Sequence, residues 1–162
     1  EVFVHPDHPY ELVFEERHVT VASLDNPMVE DGLSRSTFVN SGHVGVSVAR
    51  KHTFAEEWFS RHGVERRIEV RAPSFIQAPF LVPGTMRLCV MHERLAHYMA
   101  QLLPLKILET PFPIPPMREM VQFHATREAD PGLQWLRQKI GAMASRSQVS
   151  PASAAATGTG PE

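Results

Sequence analysis

Between Glu65 and Glu109 the sequence switches repeatedly from segments of period two to segments that start and stop like helices, and this rhythm confines the chain to an α/β fold. Glu65 to Ala72 alternates as a strand. Pro73 and Ser74 open a short helix from Phe75 to Val82 that Pro83-Gly84 closes. Met86 to Met91 reads as a strand, His92 to Leu103 as a helix and Leu105 to Glu109 as a strand. Upstream, Arg17 to Leu24 holds the β-branched alternation of a half-buried strand, and Arg35 to Val39 predicts a short helical turn broken by Asn40-Ser41-Gly42. Val44 to Ala49 is the next strand. Thr53 with Glu56 three residues on forms a capping box, and Phe54, Trp58 and Phe59 face inward until His62-Gly63 ends the helix. The order predicts parallel strands wrapped by helices.

The carboxyl-terminal third is punctuated differently. Four of the fourteen prolines fall between Pro111 and Pro116, which makes that stretch extended and stiff, a crossover between two lobes. Met117 to His124 predicts a strand. Asp130 is an N-cap with Pro131 at the first helical position, and Leu133, Leu136, Ile140 and Ala144, flanked by Trp135 and Met143, place an apolar stripe on the helix that follows. From Ser145 the Ser, Ala, Thr and Gly tail has no apolar period and is expected to be disordered.

Composition excludes several classes. A chain of 162 residues, 43% hydrophobic and 21% charged, is of about one domain's length and can hold a core. Sixteen Lys and Arg against eighteen acidic residues leave no basic excess for gripping a nucleic-acid duplex. No apolar run of membrane-spanning length occurs, and the amino terminus shows no charged leader before an apolar stretch, so neither insertion nor secretion is expected, and a reducing cytoplasm suits the one cysteine, Cys89, in an apolar run. Nine histidines raise the question of metal. His92 and His97 stand five apart, whereas the zinc-protease helix needs four, and His5 and His8 suit only an adventitious ion. No nucleophile elbow, phosphate loop or dinucleotide turn occurs, so no enzyme activity and no cofactor are expected.

One place suits an anion. Arg50, Lys51 and His52 precede the helix that starts at Thr53, so free amides, the positive helix end and cationic donors converge there. The alternative is that the charges are solvated and Thr53 only caps its helix.

An aromatic-His pair, Phe123-His124, followed by Asp130-Pro131-Gly132 and Trp135-Leu136-Arg137, resembles the end of the effector-binding domain of LysR-type transcriptional regulators, within which the nodulation and aromatic-catabolism regulators look nearest. His43-Val44-Gly45-Val46, Lys51-His52-Thr53 with Glu57-Trp58-Phe59, Arg67-Ile68-Glu69-Val70, Pro73-Ser74-Phe75 and Pro83-Gly84-Thr85 fit in the same order, so the resemblance covers residues 1 to about 144. It implies a periplasmic-binding-protein type II-like α/β fold with a Rossmann-like second lobe. Residues 1–19 would end lobe one and cross over, 20–109 would form effector-binding lobe two, 110–144 would return to close lobe one, and 145–162 would be tail. The DNA-binding segment and the first half of lobe one would lie outside this sequence, with DNA reached only through that segment, and the whole protein would be a cytoplasmic homodimer or homotetramer without membrane contact. The resemblance also implies effector contacts at His52, with Thr53 and Lys51 beside it, and at Ser74, where some relatives carry histidine. Gln122 and Phe123 would line the interlobe cleft, and the ligand would be a small aromatic or carboxylate. A periplasmic-type solute-binding protein and an oligomerisation module without ligand remain as rival readings.

Overall fold

In the computed structural model residues 5–48 and 51–146 are described. They fall into two compact units. One is Glu15–Met117, and the other joins Glu1–Phe14 to Arg118–Glu162.

The larger unit begins at the end of strand β1 (Tyr10–Glu16) and continues through β2 (His18–Ser23), helix α1 (Arg35–Asn40), β3 (Gly42–Val48), the two-residue β4 (Lys51–His52) and α2 (Phe54–Arg61). Then come β5 (Arg67–Ala72), β6 (Leu88–His92), α3 (Glu93–Met99) and β7 (Leu105–Glu109), and β8 (Met117–Gln122) leaves for the smaller unit. The sheet runs β4-β3-β6-β2-β7, with β5 also paired to β3. Every residue of β2 is buried, because the two faces of the sheet serve two cores. Val19 and Val21, with Val44, Val46, Cys89, Met91 and Met99, pack on one side. Ala22, Leu88, Val90 and Leu108 pack on the other side with Phe38 of α1 and Phe59 of α2.

The strand alternation, α1, the Thr53 cap and the β7 boundaries stand as the sequence predicts, but strand direction does not. β3 is parallel to β5 and β6, whereas β2 is antiparallel to both β6 and β7. Apolar alternation marks a buried strand without revealing its polarity. The reversal lets the chain leave β2, pass through the 3-10 turn Pro27–Val29 and α1, and enter β3 from the same end of the sheet, on the far side of β6. Gly42, at the start of β3, leaves room for the Glu69 side chain: a Cβ there would stand 2.3 Å from its carboxyl carbon and displace it.

Three helix expectations are corrected. The segment Phe75–Val82 is a turn followed by a 3-10 helix, Ala78–Leu81, since Pro79 inside it removes a donor. The helix expected over His92–Leu103 stops at Met99, and a turn leads on from Ala100, with Leu103 N–H donating to Met99 O just before Pro104. The capping box at Thr53 is half made. Thr53 Oγ1 accepts from Glu56 N, but the Glu56 carboxylate turns away to Arg66 at 2.7 Å. Cys89 is fully buried, and burial pushes its thiol up to about 12, consistent with an inert thiol.

The smaller unit pairs β1 with β8 and adds α4 (Pro131–Arg146). Tyr10, Leu12 and Phe14 alternate with Glu11, Val13 and Glu15, a period-two signal for β1. Asp130 caps α4 as expected, accepting from Leu133 N at 3.0 Å, and Arg127 beside it holds its carboxyl below the usual range. The helix's inner face differs from the expected stripe. Leu133, Ile140 and Ala144 are covered, but Leu136, Trp135 and Met143 are exposed, and Arg137 takes the inner position by laying its guanidinium 4.0 Å over the Phe123 ring and binding Glu11. Helix α4 continues through Ser145 and Arg146, and the expected tail, residues 147–162, lies outside the described residues.

The Arg66–Glu56 pair yields a test. The Arg66 side chain is buried and that of Glu56 half-buried, Arg66 lies 4.0 Å over Phe59, and its Nε and one terminal nitrogen have no partner. Glu56→Ala strands a buried guanidinium and should cost about 3–5 kcal/mol in urea unfolding. Adding Arg66→Met should restore part of that loss, as a double-mutant cycle will read.

Candidate functional site

Because β3, β5 and β6 run one way and β2 the other, the ends of the first three gather at one edge of the sheet with the start of β2. The register is explicit: His18 pairs with His92, and Val19 with Glu109 at the end of β7. Binding sites of open α/β sheets form at such carboxyl edges.

The sequence-predicted residues of this unit collect there. His52 is exposed on β4, paired with Ser47 of β3. Thr53 follows as the cap of α2. Lys51 has its backbone in β4 opposite Val48, while its side chain, like all of Arg50, lies outside the described residues. Ser74 comes two residues after the end of β5, and its Oγ accepts from Ile76 N and Gln77 N at 3.1 and 3.3 Å. Thr53 and Ser74 thus spend lone pairs on local amides and keep their hydroxyl protons for another acceptor. The first turn of α2 carries Glu56 and Glu57, each neutralised by an arginine, Arg66 and Arg61.

Sequence reasoning missed the ring cluster between these positions. His18 stacks on Phe54 at 5.7 Å and 16°, meets His92 edge-on at 5.2 Å, and His92 lies 4.3 Å from Phe75. The four rings come from three strand ends or their following turns and the first residue of α2, so only the pairing register joins them. His18 is buried, its Nδ1 has no partner, and burial with a smaller contribution from His92 lowers its pKa to about 4.

Next to this cluster a cavity of about 500 Å³ opens, lined by residues of the larger unit alone, among them Arg17, His18, Arg35, Glu109, Thr110 and Phe112. Arg17 is held by both oxygens of Glu109, at 2.6 and 2.8 Å, and approaches Glu93 at 3.6 Å. Thr110 Oγ1 lies 3.0 Å from Thr20 Oγ1. The Pro111–Pro116 stretch, whose stiffness the sequence announced, forms one wall. Among the described residues no group of His, Cys, Asp or Glu is arranged to hold a metal ion, and no helix is long and apolar enough to cross a membrane.

Gln122 and Phe123 belong to the other unit. The Gln122 amide is committed to backbone, accepting from His5 N at 3.0 Å and donating to His5 O and His8 O at 2.7 and 3.2 Å. Phe123 is buried beneath Arg137. In this structure both side chains serve the packing of their own unit.

No family model matches the chain. It is 37% identical over 140 residues to nodulation protein D 1 of Sinorhizobium fredii, covering 85% of this chain and 44% of that protein. It is 36% identical over 135 residues to nodulation protein D 2 of Rhizobium tropici, covering 82% and 43%. The chain therefore spans less than half the length of these relatives. A probable transcriptional regulator of Pseudomonas aeruginosa superposes with a TM-score of 0.75 at 21% identity, over 86% of this chain and 45% of that one. The effector-binding domain of QuiR, solved with shikimate, matches with a TM-score of 0.68 at 13% identity, over 90% and 69%. The regulatory domain of MetR, a LysR family regulator of N. meningitidis, matches at 0.66 and 8%, over 92% and 71%.

Burial of neutral imidazoles makes stability depend on pH. His43 is buried like His18, its Nε2 2.7 Å from Phe38 O, and burial lowers it to about 4 as well. The unfolded imidazoles take protons near 6.5, so this stability is complete above that pH and is lost as pH falls toward 4, by up to about 3 kcal/mol per histidine. Urea midpoints should drop between pH 6.5 and 4.5, and His18→Phe should flatten that slope.

Proposed function

Given that the chain belongs to the LysR family of transcriptional regulators, as part of their effector-binding domain, we propose that it is a ligand-sensing module whose effector binds at the carboxyl edge of the larger unit's sheet. Its α/β fold is the periplasmic-binding-protein type II-like architecture of those regulatory domains. The larger unit acts as lobe two, and the smaller contributes the returning strand and closing helix of lobe one.

One observation carries the reading. His52, the Thr53 cap, the Ser74 hydroxyl and the ring cluster of His18, Phe54, Phe75 and His92 meet at one edge, where hydroxyl protons and an exposed imidazole stand beside aromatic faces. That combination suits a small aromatic carrying a carboxylate or phenolic oxygen: the ring packs on rings while the oxygen accepts from Thr53 and Ser74. Lys51, next to His52 in the sequence, adds a positive charge to that segment. That a related effector-binding domain was solved with shikimate, a small non-aromatic carboxylate, supports the carboxylate part of that class.

Binding favours one relative orientation of the lobes over another, and the full-length protein, a cytoplasmic homodimer or homotetramer, passes that preference to a DNA-binding segment. The module is a regulator and catalyses nothing itself. The test uses the full-length protein with a panel of aromatic acids and phenols, read by small-angle scattering. An active compound should reduce the radius of gyration, and His52→Ala should weaken that response at least tenfold in ligand concentration. An unaltered response in His52→Ala sinks the site assignment.

A further inference from the structure

The cavity beside Phe112 has a charge imbalance that the sensor reading does not use. Of the residues that line it, Arg17 and Glu109 neutralise each other, and burial keeps His18 uncharged. Arg35 is different. Its Nε donates to Pro111 O at 3.0 Å and its guanidinium stands 5.2 Å over the Phe112 ring, while its two terminal nitrogens have no hydrogen-bond or ion-pair partner among the described residues. The arginine is therefore oriented from two directions and left with a fork of unused donors, the geometry that recognises a carboxylate.

The wall beneath Arg35 is apolar and braced. Phe112 meets Phe38 at 5.3 Å and Phe59 at 6.0 Å, both edge-on, so its ring is backed by the core, and Ile114 continues the surface. The proline-rich chain carrying both has little backbone freedom to lose when a ligand arrives. A cavity of about 500 Å³ is within the range of small-molecule sites.

We propose that this cavity is a binding site in its own right for a small monoanionic carboxylate with a flat apolar body, Arg35 holding the carboxylate and Phe112 the body. Among the lining residues Arg35 is the one cation left over after the Arg17–Glu109 pair, which calls for one negative charge, and the ring and proline wall favour an apolar body over a compact, strongly hydrated anion such as phosphate. The site shares only His18 with the edge around His52, so it goes beyond the sensor reading and gives that edge a second ligand position.

The probe is 2-naphthoate, with the neutral 2-naphthamide as its counterpart, titrated calorimetrically into the full-length protein. Naphthoate should bind at least tenfold more tightly than the amide. Arg35→Gln should remove that preference, Arg35→Lys should keep part of it, and Phe112→Leu should weaken both ligands. Because Arg35 is exposed, circular dichroism of the variants should match the parent. His52→Ala should leave naphthoate affinity unchanged. No binding by the parent, or equal affinity in Arg35→Gln, overturns the proposal. Loss of binding in His52→Ala with Arg35→Gln unaffected also overturns it and assigns the ligand to the His52 edge, while a naphthoate that binds without compacting the protein leaves the sensor reading to its own test.

Discussion

The larger unit depends on the double pairing of β2. This strand is buried on both faces, hydrogen-bonded to β6 on one side and β7 on the other, and opposed to both in direction. Its apolar side chains feed two cores at once, so its position is set by packing as well as by the ladder. Everything at the carboxyl edge follows from its register. Pairing His18 with His92 brings two imidazoles into contact, and pairing Val19 with Glu109 sets Arg17 within reach of the Glu109 carboxylate. A slip of one residue would turn the Val19 and Val21 side chains to the wrong core and scatter the rings.

Polar groups in the interior are handled unevenly. Lys106 satisfies Val29 O and Glu30 O at the end of the 3-10 turn, and Glu16, raised by burial, is held by the Arg94 amide and guanidinium. Arg66, His43 and His18 keep unpartnered nitrogens. A neutral imidazole tolerates this better than a guanidinium, because it leaves a bare lone pair at one nitrogen while the other donates, as His43 Nε2 does to Phe38 O. The buried cation instead leans on Glu56 and the Phe59 ring. Taking Glu56 for this pair is why the capping box at Thr53 is completed on one side only.

The candidate site was legible in the sequence where its residues act through local chemistry. Thr53 caps and Ser74 turns the chain for reasons contained within three residues, and both stand where the motif reading put them. Phe54 was recognised as inward-facing, but its partner His18 is in another strand, and Phe75 and His92 carry no local signal that they will touch. Arg35 reads as an ordinary first residue of a short helix; its orientation comes from Pro111 and Phe112, far along the chain. Gln122 was placed on the right strand, which ends there, two residues short of the expected His124, and the side chains of Gln122 and Phe123 serve backbone and packing contacts in the present structure.

By itself the sequence determined most of the larger unit's strands, the helices that Thr53 and Asp130 start, and the resemblance that identified the family, though not β1 or the turn in place of a helix at 75–82. These are encoded in spacings of two to four residues, the range over which backbone and side chain interact directly. Tertiary structure alone decided the reversed direction of β2, the inner place of Arg137 on α4, the ring cluster and the cavity at the Pro111–Pro116 wall. Each is a contact between segments tens of residues apart, and it is burial of a shared core, not local preference, that chooses among the pairings the same pattern would allow.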